Sequence, residues 1–551
     1  MKKSRIFLTA TAVAVVTMAA SALTALPLQA ATPDITVNTA TTFQTIDGFG
    51  AATPIFNGSG SPWTTSETQT LVGTGEGQLG LSIVRTVISP VSSEWSLYAD
   101  SLRTAKSTSS DVKILASPWT APASFKTNNS RTDGGKLRTD FYDDYAAHLN
   151  SYVQFMRQQG VTIDVTSVQN EPDWHPNYDS MDWTGTEMRD WVRSQGANVQ
   201  NTRLLVGESL RFNRAYTDPT LQDATARNNI GYVGGHLYDA ENSGNLSAYP
   251  LAAQNGKNQW MTEWNLHAAD GAGSNIWGNP SNQTVWNETL DDIMRTVHRS
   301  MEANWSAYIW WYGRRFYSFI GDGDTQFGTT KGAVLRRGQA FSQYAKYVRP
   351  GDRRVALTKS SRTSPLEVTA YQGRDKITLV ILNRSNSAIS NAVIQTPQNI
   401  ASAQYIATSQ NLGAAAQPVT LGSGQATVNI PARSISTITI TQGTAPTASP
   451  SPSASPSASP SPGGNCTVTM RDGTRWADRF NTEVTVTGTN NWTVVLTLAS
   501  VQRFSSAWNA TATVNGTTIT LRPNGNGNVF GITTLANGNF TRPQTQSCTA
   551  T

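Results

Sequence analysis

The chain has 551 residues, too many for one domain and enough for two or three. Only 14% of them are charged, well below the usual level of about 25%, so serine, threonine, asparagine and glycine supply the polarity beside 16 tryptophans. The formal charge of +5 includes Lys2, Lys3 and Arg5 at the extreme N-terminus. Without those three the chain is nearly balanced, and no basic run interleaved with aromatics points to nucleic acid.

Those three cations open a secretion signal, 1–30. Ile6 to Leu26 is apolar or small, and Gln29-Ala30-Ala31 offers small residues for cleavage near Ala30. A membrane anchor is the alternative, but Thr and Ser break the run and no second apolar span follows. A secreted, extracellular protein with no membrane attachment after cleavage is expected. Asp34–Gln44 then alternates as a strand.

From Ile46-Asp47-Gly48-Phe49-Gly50 onward, β-type runs alternate with helical patterns. The predicted strands are Leu79–Thr86, Lys113–Trp119, Ile163–Glu171, Arg203–Ser209, Ile230–Tyr238, Gln259–Asn265 and Ser306–Tyr312, after a first near Ile46–Ala51. Helical periods are clearest at Phe141–Gln159, Thr186–Ser194, Leu290–Glu302 and Arg336–Tyr347. Eight strands, mostly with a helix after each, predict a (β/α)8 TIM barrel over 45–350, with a doubly wound open sheet as the alternative. Short alternating strands from Val355 to Ile440 predict a small all-β side domain, 351–443. The N-terminal strand, 31–44, has no barrel partner and is expected to join it.

Residues 444–465 are Pro/Ser/Ala-rich and read as an extended spacer. The last domain, 466–551, is all-β in pattern, with strands at Glu483–Thr487, Trp492–Leu498, Thr511–Val514 and Thr518–Leu521. Its Cys466 and Cys548 are the only cysteines, and in an exported chain they predict one disulfide.

Two letter matches carry no chemistry. Gly75-Glu76-Gly77-Gln78-Leu79-Gly80 has dinucleotide-fingerprint spacing but precedes a strand instead of following one. Gly207-Glu208-Ser209-Leu210-Arg211 nearly makes a nucleophile elbow, but Arg replaces the second Gly. The five histidines show no His-Glu-x-x-His and no close ligand spacing, so neither metal nor other cofactor is indicated.

The chemistry lies in Ser167-Val168-Gln169-Asn170-Glu171-Pro172-Asp173 and Trp260-Met261-Thr262-Glu263-Trp264. By strand count Glu171 ends the fourth strand and Glu263 the seventh, so a closed barrel faces them across its C-terminal mouth. Taken alone, Glu171 could simply cap a turn. As a pair the two have the equipment for glycoside hydrolysis, one carboxylic acid to protonate the leaving oxygen and one carboxylate to attack.

The stretch from Ile46–Gly50 to Val348-Arg349-Pro350-Gly351 resembles glycoside hydrolase family 30, in its branch of glucuronoxylan-specific endoxylanases (subfamily 8). The resemblance is carried by Leu115–Trp119, Ser167–Asp173, Gly235-His236-Leu237-Tyr238, Met261–Glu263 and Tyr308-Ile309-Trp310-Trp311-Tyr312-Gly313-Arg314-Arg315, and covers about residues 34–441. It implies a metal-independent retaining mechanism, with Glu171 as acid/base and Glu263 as nucleophile. It puts Asn170 on the sugar 2-OH, Arg85 and Tyr238 beside Glu263, and Trp119 and Trp183 as sugar-stacking walls. His236 reads either as a substrate contact or as a hydrogen-bonded core histidine. Arg315, with Trp311 and Tyr317, would grip a methylglucuronate branch through its planar fork. Arg314 reads as a rim ion pair. One departure is the run after the nucleophile, Trp264-Asn265-Leu266-His267-Ala268 to Ser274, where Asn265 and Ala268 stand in place of the branch's aromatic and hydroxyl groups and Ser274 is left as the one hydroxyl that could reach the uronate.

The C-terminal domain resembles a family 2 carbohydrate-binding module, through Cys466, Trp476–Asn481, Trp492, Ser506–Ala510 and Cys548. Arg479 marks its xylan-binding subgroup. Trp476 and Trp508 are expected to stack on sugars and Trp492 to be core. The expected protein is a monomeric endo-β-1,4-xylanase acting on glucuronoxylan. Its alternatives are hydrolysis of unbranched xylan or another β-glucan on the same barrel, or, more distantly, a non-catalytic polysaccharide-binding protein.

Overall fold

The structure, a computed structural model, describes residues 32–55, 61–239, 242–443 and 466–550, apart from 274, 423, 477, 500, 526 and 538. The signal and the Pro/Ser spacer lie outside the described residues. Two compact units divide between Ala448 and Ser449.

In the first unit, β1 (Ile35–Thr45) precedes a closed parallel barrel of eight strands. These are β2 (Gly48–Ala52), β3 (Ile83–Ile88), β4 (Lys113–Pro118), β5 (Val165–Ser167), β6 (Arg203–Ser209), β7 (Ile230–His236), β8 (Asn258–Glu263) and β9 (Ala307–Trp310). Ile83, Leu115, Val165, Leu205, Trp260, Ala307 and Ile309 fill its interior as a packed plug. At the N-terminal end Asp47 accepts from Trp260 Nε1 (2.9 Å), Asn258 Nδ2 (2.7 Å) and Lys113 Nζ (2.7 Å), tying together the first, third and seventh strands of the barrel. Gly50 is required there, because a Cβ would lie 2.2 Å from the Ile83 carbonyl.

The observed strands correct two expected boundaries. β3 starts at Ile83, because Leu79 and Leu81 hydrogen-bond back to Thr70 and Leu71 beside the helix Thr65–Val72. β5 ends at Ser167, four residues before Glu171. Beyond it the chain leaves the ladder but still bonds its neighbours, through Asn170 N to Pro118 O (2.8 Å) and Glu171 N to Glu208 O (3.0 Å). The helix expected at Leu290–Glu302 is α only from Arg295, with a π-helical segment, Glu288–Met294, before it. Buried Glu288 lies in that segment and pairs with Arg337 at 2.5 Å.

β1 joins a ten-stranded sheet, antiparallel to Arg353–Lys359 and parallel to Ile389–Gln395. Its alternation buries Ile35 and Val37 with Val355, Leu379, Ile394 and Ile438. The helix Arg336–Ala345 docks that sheet on the barrel, with Gln343 Nε2 on Thr408 Oγ1 (2.8 Å) and Thr437 Oγ1 on Gln343 O (2.7 Å).

The second unit holds two four-stranded sheets. One runs Thr467–Arg475, Arg479–Thr487, Val529–Leu535 and Arg503–Trp508; the other Ala510–Asn515, Thr518–Pro523, Trp492–Thr497 and Gln544–Ala550. Periodicity alone picks out four of these eight. Cys466 and Cys548 are disulfide-bonded across a Cα–Cα distance of 5.4 Å, closing a loop of 82 residues. Trp492 is core, stacked on Phe530 at 4.6 Å with its Nε1 on Asn528 Oδ1 (2.9 Å).

Candidate active site

Glu263 ends β8, and a register shift between β7 and β8 sets its direction. Gly235 pairs with Met261 and His236 with Glu263, leaving Thr262 as the extra residue. Glu171 sits past β5 with φ +43°, a left-handed conformation uncommon for a side chain of its size. A carboxylate oxygen of Glu171, one of Glu263 and a ring nitrogen of His236 all lie within 4.8 Å of one another.

Arg85 links the parts. Its Nη1 donates to Glu263 Oε2 at 2.6 Å, and its Nη2 donates to Asn170 Oδ1 at 2.6 Å and to Glu208 Oε1 at 3.1 Å. Tyr238 OH donates to Glu263 Oε1 at 3.0 Å and accepts from Asn265 Nδ2 at 3.0 Å. His236, fully buried, places Nδ1 3.0 Å from Glu171 Oε1, with Nε2 3.8 Å from Glu208 Oε1 and 3.9 Å from Glu263 Oε2.

Electrostatics follow from this packing. Burial alone would lower His236, but Glu263, Glu171 and Glu208 outweigh it and raise the ring to about 10. It is therefore an imidazolium at neutral pH, with Nδ1 donating to Glu171 and Nε2 at ion-pair distance from Glu208 and Glu263. Burial works against the charge on Glu208, yet Arg85 and His236 hold that carboxyl down at about 2. Burial raises Glu263 above an ordinary glutamate and Glu171 adds to the rise, against the pull of His236 and Arg85. Burial and the two carboxylates push the Tyr238 phenol far up, so it stays a donor. Glu171, His236 and Glu263 have the atom types to hold a metal. In this site, however, the cation among them is Arg85, already within 2.6 Å of Glu263.

The other expected residues separate into two groups. Trp119 and Trp311 sit together at the mouth with rings 5.9 Å apart, and the Arg85 guanidinium lies 4.8 Å from the Trp119 ring. Trp183 is as buried as Trp119, and its ring lies 6.3–6.4 Å from those of Tyr142, Tyr145 and Trp191. The neighbouring arginines also part ways. Arg314 is buried and bonds Glu67 Oε2 at 2.5 Å and the Ser61 carbonyl. Arg315 is 31% exposed and lies 3.4 Å from Asp322. Tyr317 is buried beneath the loop after β8, stacked on His267 at 4.6 Å. Ser274 lies outside the described residues.

Sequence reasoning missed Glu208 and the role of Asn265. Glu208 lies inside the Gly207–Arg211 run set aside as a near-motif, and no local pattern signals that its side chain turns inward. Arg314 carries a prediction. Arg314→Ala leaves buried Glu67, which also closes the capping box with Thr64, without its cation. The expected loss is about 3–5 kcal/mol, read as a lower urea midpoint at unchanged slope.

In the module, Trp476 is 47% exposed, and the face between the strands carries Arg479, Asn481, Ser506 and Thr533. Trp508, half-buried, lies over Gly531, where a Cβ would come within 2.0 Å of its ring. Arg479 pairs bidentately with Asp478 at 3.0 and 2.8 Å.

A parallel barrel whose mouth holds two carboxylates this close, one of them flanked by arginine and tyrosine, has the site of a glycoside hydrolase. The family profile "Glycosyl hydrolase family 30 TIM-barrel domain" matches residues 92–291. The chain is 31% identical over 419 residues to the glucuronoxylanase XynC of Bacillus subtilis (strain 168), covering 74% of this chain and 92% of that protein. It is similar to the glycoside hydrolase family 30 subfamily 8 xylanase Xyn30A of Clostridium acetobutylicum, with 29% identity, a TM-score of 0.62, and coverage of 74% of this chain and 99% of that one. It is likewise similar to a family 30 endoxylanase of Clostridium papyrosolvens C71, with 29% identity, a TM-score of 0.60, and coverage of 74% and 100%. The chain belongs to glycosyl hydrolase family 30, and is a glycoside hydrolase.

Proposed function

We propose that the chain is a secreted endo-β-1,4-xylanase that hydrolyses glucuronoxylan with retention of configuration, its cleavage placed by a methylglucuronate branch. The carrying observation is the carboxylate pair, whose nearest oxygens lie within 4.8 Å. Retaining enzymes keep the two groups about 5–5.5 Å apart, and inverting ones need about 6.5–9.5 Å for a water.

Glu263 accepts from Arg85 and Tyr238, while Glu171 faces only His236 among the bonds described. The fork and the phenol fix Glu263 as the attacking group and leave the acid's role to Glu171. Glu171 gives its proton to the glycosidic oxygen as Glu263 attacks the anomeric carbon, and the C–O bond to the leaving chain breaks. Glu171, now ionised, takes a proton from water, whose oxygen attacks the same carbon and releases Glu263. Asn170, fixed by Arg85, is suited to hold the sugar 2-OH, and Trp119 and Trp311 to wall the sugar. Arg315 offers its planar fork to the uronate beside Tyr317.

Trp476 and Trp508, on the module's sugar-facing sheet, would hold the chain near its polymer and raise local substrate concentration. Trp476→Ala is expected to weaken binding to insoluble xylan by roughly tenfold, about 1.4 kcal/mol, with hydrolysis of soluble xylan unchanged; depletion assays measure the first.

Product analysis on glucuronoxylan against uronate-free arabinoxylan tests the reading. The expected products carry one uronate each, with little action on arabinoxylan, and fresh products are β-anomers by proton NMR. Equal rates on both polymers would remove the branch-placing role of Arg315, and α-anomers would remove retention.

A further inference from the structure

Glu208 is buried completely, in the middle of the site, with no substrate role among the proposed steps. Its placement is built into the backbone. Gly207 pairs with Gly234 and Ser209 with Gly235, so Glu208 is the extra residue of a bulge in β6. Its φ is +49°, and Gly207 before it has φ +105° with a Cβ position 2.5 Å from the Gly234 carbonyl. Only glycine fits at 207, and the bulge turns the next side chain into the mouth.

There Glu208 meets both cations of the site, Arg85 at 3.1 Å and His236 at 3.8 Å. Around His236 the remaining charged groups are Glu171, Glu263 and, more distantly, Asp173. The cluster thus holds three glutamates against two cations. A single proton makes it neutral, and the acid of a retaining pair needs one.

We propose that Glu208 is a positioning residue, fixing the Arg85 fork on Glu263 and holding His236 as the imidazolium beside Glu171. The proposal rests on the roles given above to Glu171 and Glu263. Removing the Glu208 charge leaves the protonated cluster with an excess positive charge, and His236 gives up its proton more readily. Arg85 also loses one of its three anchors, so its fork on Glu263 loosens.

The test uses the full chain with Glu208→Gln and Glu208→Asp. Two quantities are read: kcat and KM on glucuronoxylan, and the titration of the His236 ring by 15N-histidine NMR, assigned with His236→Asn. For Glu208→Gln, kcat is expected to fall by roughly 10²-fold with KM within about threefold. The His236 midpoint is expected to drop by about one pH unit or more. Glu208→Asp keeps the charge, holds the His236 midpoint high and recovers most of kcat. A near-wild-type kcat in Glu208→Gln overturns the proposal, and so does a lost kcat with an unmoved His236 midpoint. If Glu208→Gln does not fold, Glu208→Ala takes its place, read by the same kcat and the same His236 midpoint, and an unmoved midpoint overturns the proposal. The NMR titration needs no substrate, so a wild-type chain inactive on xylan would sink the xylanase reading while leaving this one measurable.

Discussion

Glu263→Gln is expected to bind xylan as the wild type does and to hydrolyse it at least about 10⁴-fold more slowly. The amide matches the carboxylate in shape, so the barrel mouth keeps its packing. Its Nε2 lone pair is delocalised into the carbonyl, and its uncharged oxygen is a poor nucleophile. Arg85 retains Glu208 and Asn170 as partners, which limits collapse of the site. Binding without turnover separates a hydrolase from a polysaccharide-binding protein built on the same barrel. Glu171→Ala gives a complementary result. An aryl glycoside with a good leaving group needs no proton donor, so its first step stays fast and a burst of aryl alcohol appears before slow turnover. Retention of more than about a tenth of wild-type activity in Glu263→Gln would remove Glu263 from the chemistry.

Arg315→Ala is expected to lower kcat/KM on glucuronoxylan by roughly 10–150-fold and to leave arabinoxylan hydrolysis unchanged. A hydrogen bond to a charged group is worth about 1.5–3 kcal/mol, and a bidentate fork lies toward the upper end. The exposure of Arg315 sets the expectation, since about a third of the side chain (31%) faces solvent while Arg314 is sealed in its pair with Glu67. In the loop after β8, Asn265 is drawn back onto Tyr238, and His267 lies flat on Tyr317. Under the proposed function, a uronate would then depend more heavily on Arg315 than with additional hydroxyl donors, which argues for a large effect from one substitution. Measurement on both polymers decides, because loss of activity on arabinoxylan as well would mean damage to the barrel rim.

The order of the barrel strands was legible in the sequence, as were the two glutamates, Glu263 at the seventh strand end and Glu171 just beyond the fourth. The sequence also determined the disulfide, because only two cysteines exist to pair. Such features are local or combinatorial. Hydrophobic periodicity, turn residues and strand count fix them without knowledge of distant neighbours. Tertiary structure alone decided four others. Glu208 enters the site only because β6 bulges against β7, and a bulge is a relation between strands that no single run displays. Arg314 and Arg315 are adjacent letters with different fates, separated by whether Glu67 or solvent lies opposite. Trp183, a sugar wall by the family resemblance, has Tyr142, Tyr145 and Trp191 as ring neighbours from other parts of the chain. The charge balance around Glu263 depends on Arg85, His236 and Glu208 meeting within hydrogen-bond or ion-pair reach from β3, β7 and β6. Charge in a buried site is set by the sum of its neighbours, and those neighbours are assembled only when the barrel closes.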